Sequence, residues 1–368
     1  MTIARSQIVD VDADATYLCT MRCVRRSFLF GTDRSTGKNY DHRKDWIVDR
    51  AEFLCTIFAA EMTGYSIMIN HFHIGPHMIP ARAKAWPDEE VARRWLTLCP
   101  PRPPREGETA ADVFAAAMAR LLRNKRRLKV LRRRLHDLSW FMRELDEYIA
   151  RKANREDGCK GRFWEGRFDA KLLANPAAVL AGLVYVDLNP VRAGVAATPE
   201  TSGHTSVQAR VAARAAAEKL ELLAAAETAS AQGEAPAAGA AAVVERERER
   251  AAHTLRRHQW LPPIQKDEAG RGVFRQLTLD EYLTIVDHTG RALKEGKPGV
   301  IAAELAPILE RLSLRTEAWV DSMADFDKRF RRILGRVEEI KAQARRVGRR
   351  WFQGVEACRA LFAPAPAG

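Results

Sequence analysis

The sequence lacks the features that would place the protein in a membrane or in an oxidising compartment. No apolar run approaches the roughly 20 residues that a transmembrane helix needs. The N-terminal stretch MTIARSQIVDVDADATYL does not have the charged and then apolar layout of a signal peptide. The six cysteines contain no CxxC pair, which favours reduced, mostly buried thiols over a zinc knuckle or a disulfide framework. We therefore expect a cytoplasmic protein with no membrane partner.

Acidic residues are too few to balance the basic ones. Sixty Lys and Arg face 47 Asp and Glu, which gives a formal net charge of +13. Such an excess favours a polyanionic partner, either nucleic acid or an anionic membrane surface, and charge alone does not choose between them. The length of 368 residues is typical of two domains.

The N-terminal half alternates between strand-like and helix-like patterns. Residues 16–31 are rich in β-formers and predict a strand, residues 46–64 have helical periodicity, and residues 65–74 predict a second strand. The proline-rich stretch 75–108 reads as mostly loop, with one short helix at DEEVARRWLTL. A helical pattern then extends from Ala110 to about residue 155.

The second half begins with strand and helix patterns and becomes almost entirely helical. Residues 162–173 predict a strand, and residues 175–195 predict a helix capped by Asn175 that ends or kinks near Asn189, before Pro190. The Ala/Glu/Arg-rich stretch 211–250 is typical of a flexible linker or a spacer helix. We divide the chain into an α+β domain at 1–210, this linker, and a basic α-helical module at 251–368.

The string NHFH ends an apolar strand pattern with two histidines. Successive side chains of a strand point to opposite faces, so His71 and His73 share one face while Phe72 turns into the core. Two imidazoles on one face can hold a metal ion, although structural histidines are the alternative. His77 lies beyond Gly75 and Pro76, and we place it in a loop without a role.

The string VYVDLNPVRAG contains a tyrosine and an asparagine at helical spacing. Tyr185 and Asn189 are four residues apart and therefore lie on one helix face. Tyr185 is a candidate nucleophile, and the alternative is a core tyrosine with its hydroxyl satisfied at the rim. Arg192 and Gly194 follow, and they could simply close the helix.

Two basic stretches are candidates for contacts with nucleic acid. In GRFWEGRF, Arg162, Trp164 and Arg167 suit phosphate contacts and base stacking, or else form a core tryptophan with two surface arginines. Nine of the fifteen residues from Arg120 to Arg134 are Lys or Arg, with no acid among them, so a helix here could neutralise phosphates. The residues in this stretch that we expect to bind DNA are Arg123, Lys125, Arg126, Arg127, Arg132 and Arg133.

In this order, NHFH, GRFWEGRF and YVDLNPVRAG resemble the motifs of the single-tyrosine HUH transposases, specifically the REP-associated tyrosine transposases. The resemblance covers about residues 14–210. It implies a ferredoxin-like α+β domain with an antiparallel sheet and packed helices, the histidines on a central strand and the tyrosine on a facing helix. The C-terminal 155 or so residues have no counterpart in the minimal domain, and we expect this basic helical module to add DNA contacts or to recognise a target hairpin.

The resemblance also implies an activity. His71 and His73 would be metal ligands with Asn189 as a further one, Tyr185 the nucleophile, and Arg192 a DNA contact. Single-stranded or hairpin DNA would be cleaved through a 5′-phosphotyrosine intermediate by a monomer or homodimer associated with the nucleoid. Imidazoles alone suit zinc or manganese, whereas a phosphate and waters in the shell favour Mg or Mn, as the family implies.

Two other interpretations stay open at this point. One is a catalytically inactive, domesticated protein that binds a DNA or RNA hairpin through its basic helices. The other is a basic structural protein in which these motifs are coincidences. The presence of His71, His73 and Tyr185 together favours the enzyme.

Overall fold

The computed structural model describes residues 7–33, 36–230, 238–294 and 306–362. Its strands are β1 (Ala15–Arg22), β2 (Ala60–Ile67), β3 (His71–Met78), β4 (Asp169–Leu173) and β5 (Ile333–Leu334). The helices before β4 are α1 (His42–Ile57), α2 (Pro80–Ala85), α3 (Asp88–Leu98), α4 (Ala110–Leu122), α5 (Lys125–Arg134) and α6 (Leu138–Glu156). The later helices are α7 (Pro176–Asp187), α8 (Asn189–Arg192), α9 (Ser206–Ser230), α10 (Ala238–His258), α11 (Leu279–Lys294), α12 (Ala306–Arg311), α13 (Thr316–Ala324), α14 (Phe326–Arg329), α15 (Val337–Arg346) and α16 (Val355–Leu361). The α+β prediction is confirmed.

The strands form one sheet in the order β2-β3-β1-β4-β5. β1 pairs antiparallel with β3 and β4, and β2 pairs antiparallel with β3. With α1 after β1 and α6 before β4, this is the βαββαβ arrangement of a ferredoxin-like fold. The short strand β5 joins β4 in parallel and so adds a C-terminal segment to the sheet.

The boundaries predicted between residues 46 and 78 were wrong. α1 ends at Ile57, and β2 occupies the end of the predicted 46–64 helix. The predicted 65–74 strand covers the end of β2, a turn and the start of β3. The turn is formed by the residues MIN at 68–70, two of which are apolar, so the sequence carries only a weak turn signal there.

Three further expectations needed correction. His77 lies in β3 instead of a loop, and its Nδ1 is 3.0 Å from Thr16 Oγ1. The predicted 16–31 and 162–173 strands are shortened to β1 and β4. The proline-rich stretch 75–108 holds the end of β3 and two helices, of which α3 matches the predicted DEEVARRWLTL helix.

Two hydrophobic cores lie on opposite faces of the sheet. Tyr17, Cys19 and Phe72 point into the first core, which α1 and α6 complete. Leu18 and Leu173 point into the second core, which contains α7 and most of the C-terminal helices. Because side chains alternate along a strand, the face that carries Leu18 is also the face of Thr20, opposite the first core.

Helix α7 lies close against the sheet. Asn175 caps its N-terminus by accepting a hydrogen bond from the backbone N–H of Ala178 at 2.8 Å, as the sequence predicts. A Cβ atom on Gly64 of β2 would lie 2.1 Å from Leu183 Cδ1, so only glycine permits this approach. The close contact sets the height of α7 above β2.

The C-terminal part of the described chain, which follows α10, shares a hydrophobic core with the sheet domain. The described part of 211–250 lies in α9 and α10, and these two helices pack against each other. The second core joins Leu180 and Val184 of α7 to Tyr282, Trp319 and Ile333. The boundary expected at residues 210–251 therefore does not separate the two cores. None of the helices in the described ranges is both long and apolar enough to cross a membrane.

Candidate functional site

The predicted metal ligands His71, His73 and Asn189 meet Tyr185 and Arg192 in one cavity between the sheet and the C-terminal part. The cavity has a volume of about 350 Å³ and opens beside the start of β3. Its lining combines residues from β1, β3, α7, α8 and α14 with their flanking turns: Arg22, Arg26, Asn70, His71, His73, Tyr185, Asn189, Arg192, Ala193 and Asp327. A single polar pocket thus holds both imidazoles and the tyrosine.

His73 is fully enclosed by its neighbours in the sheet. It is 1% exposed, and its Nδ1 is 2.8 Å from the hydroxyl of Thr20, its cross-strand partner in β1. A hydrogen bond at one ring nitrogen sets the tautomer and the orientation of the other. With Nδ1 engaged, Nε2 is the nitrogen left for a ligand.

His71 is held by the residue before it. Its Nδ1 is 2.7 Å from Asn70 Oδ1, and an amide oxygen can only accept, so the Nδ1 proton lies in this bond. Its Nε2 therefore carries the lone pair, and it lies 3.4 Å from the side-chain amide of Asn189. The two histidine rings are perpendicular, with centroids 5.1 Å apart.

Both histidines are neutral around pH 7. Burial, and after it the Arg22 guanidinium, lowers the pKa of His71 to about 4. Burial and then the neighbouring His71 lower the pKa of His73 well below its ordinary value. Neutral imidazoles have the free lone pair that a metal ligand or a hydrogen-bond acceptor needs.

The side chains of His71, His73 and Asn189 fit a divalent ion that also binds other ligands. His71 Nε2 faces the Asn189 amide at 3.4 Å, a separation that two ligand atoms of one ion can have once the amide oxygen turns inward. No group of three or more His, Cys, Asp and Glu side chains in the described ranges could hold a metal. Two imidazoles and one amide leave positions for a phosphate oxygen and water.

Tyr185 is 3% exposed and is enclosed by residues of the C-terminal part. Its ring stacks on Phe326 with centroids 4.3 Å apart and contacts the edge of His73 at 5.4 Å. The Arg192 guanidinium lies 4.7 Å from the ring centroid on the helix that follows. The hydroxyl donates a hydrogen bond of 2.7 Å to Asp327 Oδ2.

Asp327 also binds a lysine from the sheet. Lys171 of β4 is 6% exposed and donates a hydrogen bond to Asp327 Oδ1. Burial alone would raise the pKa of Asp327, but the Lys171 ammonium and the bonds from Lys171 and Tyr185 bring it below its ordinary value. Burial, followed by the Asp327 carboxylate, raises the pKa of Tyr185. The tyrosine is therefore a neutral phenol bonded to a carboxylate.

Arginines form the mouth of the cavity. Arg22, Arg26 and Arg192 line it, and among the lining residues in the described part of the chain Asp327 is the one carboxylate. Arg25 and Arg26 both have left-handed backbone conformations, with φ of 52° and 53°. Such backbone strain in non-glycine residues concentrates at functional sites. The mouth is suited to an anion such as a phosphodiester.

The predicted contacts in GRFWEGRF divide into two groups. Trp164 is 9% exposed, and its indole N–H donates to the backbone carbonyl of Asp146 at 2.8 Å. It packs in the first core, so the core alternative holds for Trp164 and its ring is not open to a base. Arg162 and Arg167 are exposed, and the Cys23–Trp164 bridge brings their segment beside β1.

The basic helix α5 lies on the side of the sheet away from the histidines, because Leu128 packs into the first core. Arg132 is half-buried and donates to the backbone carbonyl of Ala83 at 2.9 Å and to Asp88 Oδ1 at 2.7 Å. Lys125 binds the same carboxylate at 2.8 Å. The remaining predicted residues are exposed: Arg123, Arg126, Arg127 and Arg133.

A second basic cavity lies in the C-terminal part. It has a volume of about 450 Å³ and is lined by Arg331, Arg332, Arg349, Arg350, Trp351, Phe352 and Gln353. Trp351 is 63% exposed. Arg332 binds Asp169, which stands opposite Thr20 in the sheet, so this Arg/Trp cleft begins near the cavity that holds His73 and Tyr185. Within the described residues, Arg331 and Arg350 have no acidic partner.

Several residues of the site were missed by the sequence analysis. Asp327 is 142 residues from Tyr185 in the chain, and no spacing or motif connects them. Thr20 and Lys171 meet the site through strand register, which composition does not reveal. Arg22 and Arg26 lie inside the predicted 16–31 strand, and nothing in that pattern marked them as residues of a site.

Comparisons with known proteins give one structural similarity. No family model and no curated protein matches the chain. A solved structure of a REP-associated tyrosine transposase bound to a REP hairpin is similar over 56% of this chain and 82% of that chain. The identity is 14% and the TM-score 0.32, so the functional assignment depends on the geometry of the site instead.

Proposed function

We propose that the protein is a metal-dependent enzyme that cleaves and rejoins single-stranded DNA through a 5′-phosphotyrosine at Tyr185. One observation carries this proposal. The Tyr185 hydroxyl shares a cavity of about 350 Å³ with two neutral histidines and three arginines. A nucleophile, metal-ligating nitrogens and anion-binding cations are the groups that phosphoryl transfer requires.

His71, His73 and Asn189 would hold the divalent ion, with Mg or Mn as the expected metal. When bound, such an ion supplies positive charge that polarises a non-bridging phosphate oxygen. Thr20 and Asn70 orient the two imidazoles from behind. The protein thus prepares the ligands without needing an acidic side chain in the first coordination shell.

The arginines and the tyrosine account for the remaining chemistry. Arg22, Arg26 and Arg192 hold the scissile phosphate at the mouth of the cavity. The Tyr185 oxygen forms a bond to phosphorus as the bond from phosphorus to O3′ breaks. The phenol proton is released to water, and O3′ takes up a proton to become a free 3′-OH. The phosphotyrosine retains the bond energy, so a second 3′-OH can reverse the step.

The DNA path would extend from the cavity along the basic surfaces beside it. Arg162 and Arg167 flank β1, and the Arg/Trp cleft begins at the β4 edge. An exposed tryptophan among arginines suits stacking of a base next to backbone contacts. The exposed arginines of α5 lie on the opposite side of the sheet, where they could reach the duplex part of a hairpin.

A second candidate is a hairpin-binding protein that no longer cuts. The burial of Tyr185 under Phe326 favours this alternative, because it holds the phenol away from solvent. The basic surfaces serve either function. The two candidates differ in whether Tyr185 becomes linked to DNA.

The test is a search for that covalent link. The full chain is incubated with long single-stranded DNA containing several hairpins and with Mn²⁺ or Mg²⁺, and the products are run on a denaturing gel. We expect a protein–DNA band that requires metal, disappears in Tyr185→Phe and persists in Tyr148→Phe, a change at an exposed tyrosine outside the cavity. Salt-sensitive binding without any covalent band would contradict the enzyme and favour the hairpin-binding protein.

A further inference from the structure

The helix α14 brings a carboxylate to the nucleophile from far outside the sheet domain. Phe326 covers the Tyr185 ring, and the next residue, Asp327, accepts the hydrogen bond of its hydroxyl at 2.7 Å. The other oxygen of Asp327 binds Lys171 in β4. The side chains of Asp327 and Lys171 thus connect the Tyr185 hydroxyl to the sheet.

Both ends of this short segment are fixed. Arg192 of α8 donates to the backbone carbonyl of Ala324 at 2.8 Å, just before Phe326. Phe330 packs beneath Phe326 with centroids 5.1 Å apart, and the chain then enters β5. The position of Asp327 is therefore set by the sheet and by α8, not by a free loop.

We infer that Asp327 is a positioning residue for the Tyr185 nucleophile, an inference that rests on the proposed function. By accepting the hydroxyl proton in a hydrogen bond, Asp327 turns the oxygen lone pairs away from itself. Lys171 holds the Asp327 carboxylate in the position from which it orients the Tyr185 hydroxyl. The C-terminal part then supplies an essential side chain, and residues 1–210 alone are an incomplete active site.

The positive charge of Lys171 balances the negative charge of Asp327, and the mouth of the cavity stays cationic. Lys171 compensates Asp327, so the three arginines at the mouth keep their attraction for phosphate. A hydroxyl held in one orientation also loses less entropy when the reaction geometry forms. Removing Asp327 should therefore affect the rate of the chemical step more than DNA binding.

The test compares single-turnover rates of covalent adduct formation at saturating hairpin DNA, with DNA affinity measured separately. Asp327→Asn keeps the size of the side chain, and we expect its rate to fall roughly 10- to 100-fold, the range for one charge-assisted hydrogen bond, with unchanged affinity. The matched control is Asp325→Asn, which removes the same charge from a half-exposed position paired with Lys328. We expect wild-type rate and affinity for this control.

A second variant protects the test against a folding defect. Lys171→Met leaves Asp327 in place without its anchor, and we expect a loss in rate in the same range with unchanged affinity. Wild-type rates in both variants, or a faster rate in Asp327→Asn, would overturn the inference, since a faster rate means that Asp327 restrains Tyr185. Absence of any adduct from the wild-type protein would instead overturn the proposed function, and this inference with it.

Discussion

His73 illustrates what single residues reveal before a structure is known. The alternation of a strand is enough to place His71 and His73 on one face, and the structure has them with ring centroids 5.1 Å apart. The partner of His73, Thr20, lies on a strand 53 residues earlier, and only the register of the sheet brings the two together. Local periodicity therefore predicted the pair but not the group that orients it.

The histidines offer a direct test of the proposed metal ligands. We expect His73→Ala to weaken Mn²⁺ binding at least about tenfold, because even the orienting partners of ligands matter by roughly 10- to 100-fold. Isothermal titration calorimetry without DNA measures this. His77→Ala is the matched control, since His77 lies on the same strand but binds Thr16 and Asp14 instead. Equal weakening in both variants would argue against a site at His73.

At the scale of elements, residues typical of helix ends predicted the element boundaries better than runs of apolar residues did. Asn175 and Pro190 correctly predicted the start and the end of α7. The hairpin between β2 and β3 was missed because its turn contains Met68 and Ile69, which continue the apolar pattern of the strands. Gly64 is the last residue of the predicted 46–64 helix, whereas in the structure it belongs to β2, where α7 approaches the sheet.

This role of Gly64 predicts the effect of adding one methyl group. Gly64→Ala would place its Cβ 2.1 Å from Leu183 Cδ1, and α7 would have to move. We expect a loss of about 1–3 kcal/mol in the free energy of unfolding, as for other overpacked interiors. Urea denaturation measures it, with Gly203→Ala as the control, because nothing lies within 4 Å of a Cβ there. Equal stability of the two variants would show that α7 is not seated on Gly64.

At the scale of the whole molecule, the excess of positive charge indicated a polyanionic partner but not the arrangement of the parts. The chain was divided at residues 210 and 251 on composition, yet the second core contains α7 together with Trp319 and Ile333. Each buried apolar side chain stabilises the fold by about 1.5–3 kcal/mol. Removing the C-terminal part would expose the side chains of α7 that pack against it, and α7 carries Tyr185. Point variants are therefore the appropriate test of its contribution.

The Arg/Trp cleft gives such a test. We expect Trp351→Ala to weaken binding of single-stranded DNA by roughly 5- to 150-fold, the effect of one lost base stack. Arg350→Ala should reduce the slope of log affinity against log salt by about 0.7. Fluorescence anisotropy across a salt series measures both. Arg246→Ala, an exposed arginine of α10 outside both basic cavities, should leave base stacking unchanged, and an affinity loss equal to that of Trp351→Ala would refute the cleft.

The central claim is that Tyr185 becomes covalently linked to DNA, and peptide mass spectrometry tests it most directly. Trypsin, cutting after Lys171 and Arg192, releases a peptide in which Tyr185 is the only hydroxyl side chain. After nuclease digestion of the adduct, we predict the mass of a 5′-linked nucleotide on this peptide. A nucleotide on any other peptide, or an adduct that leaves this peptide unmodified, would contradict the account.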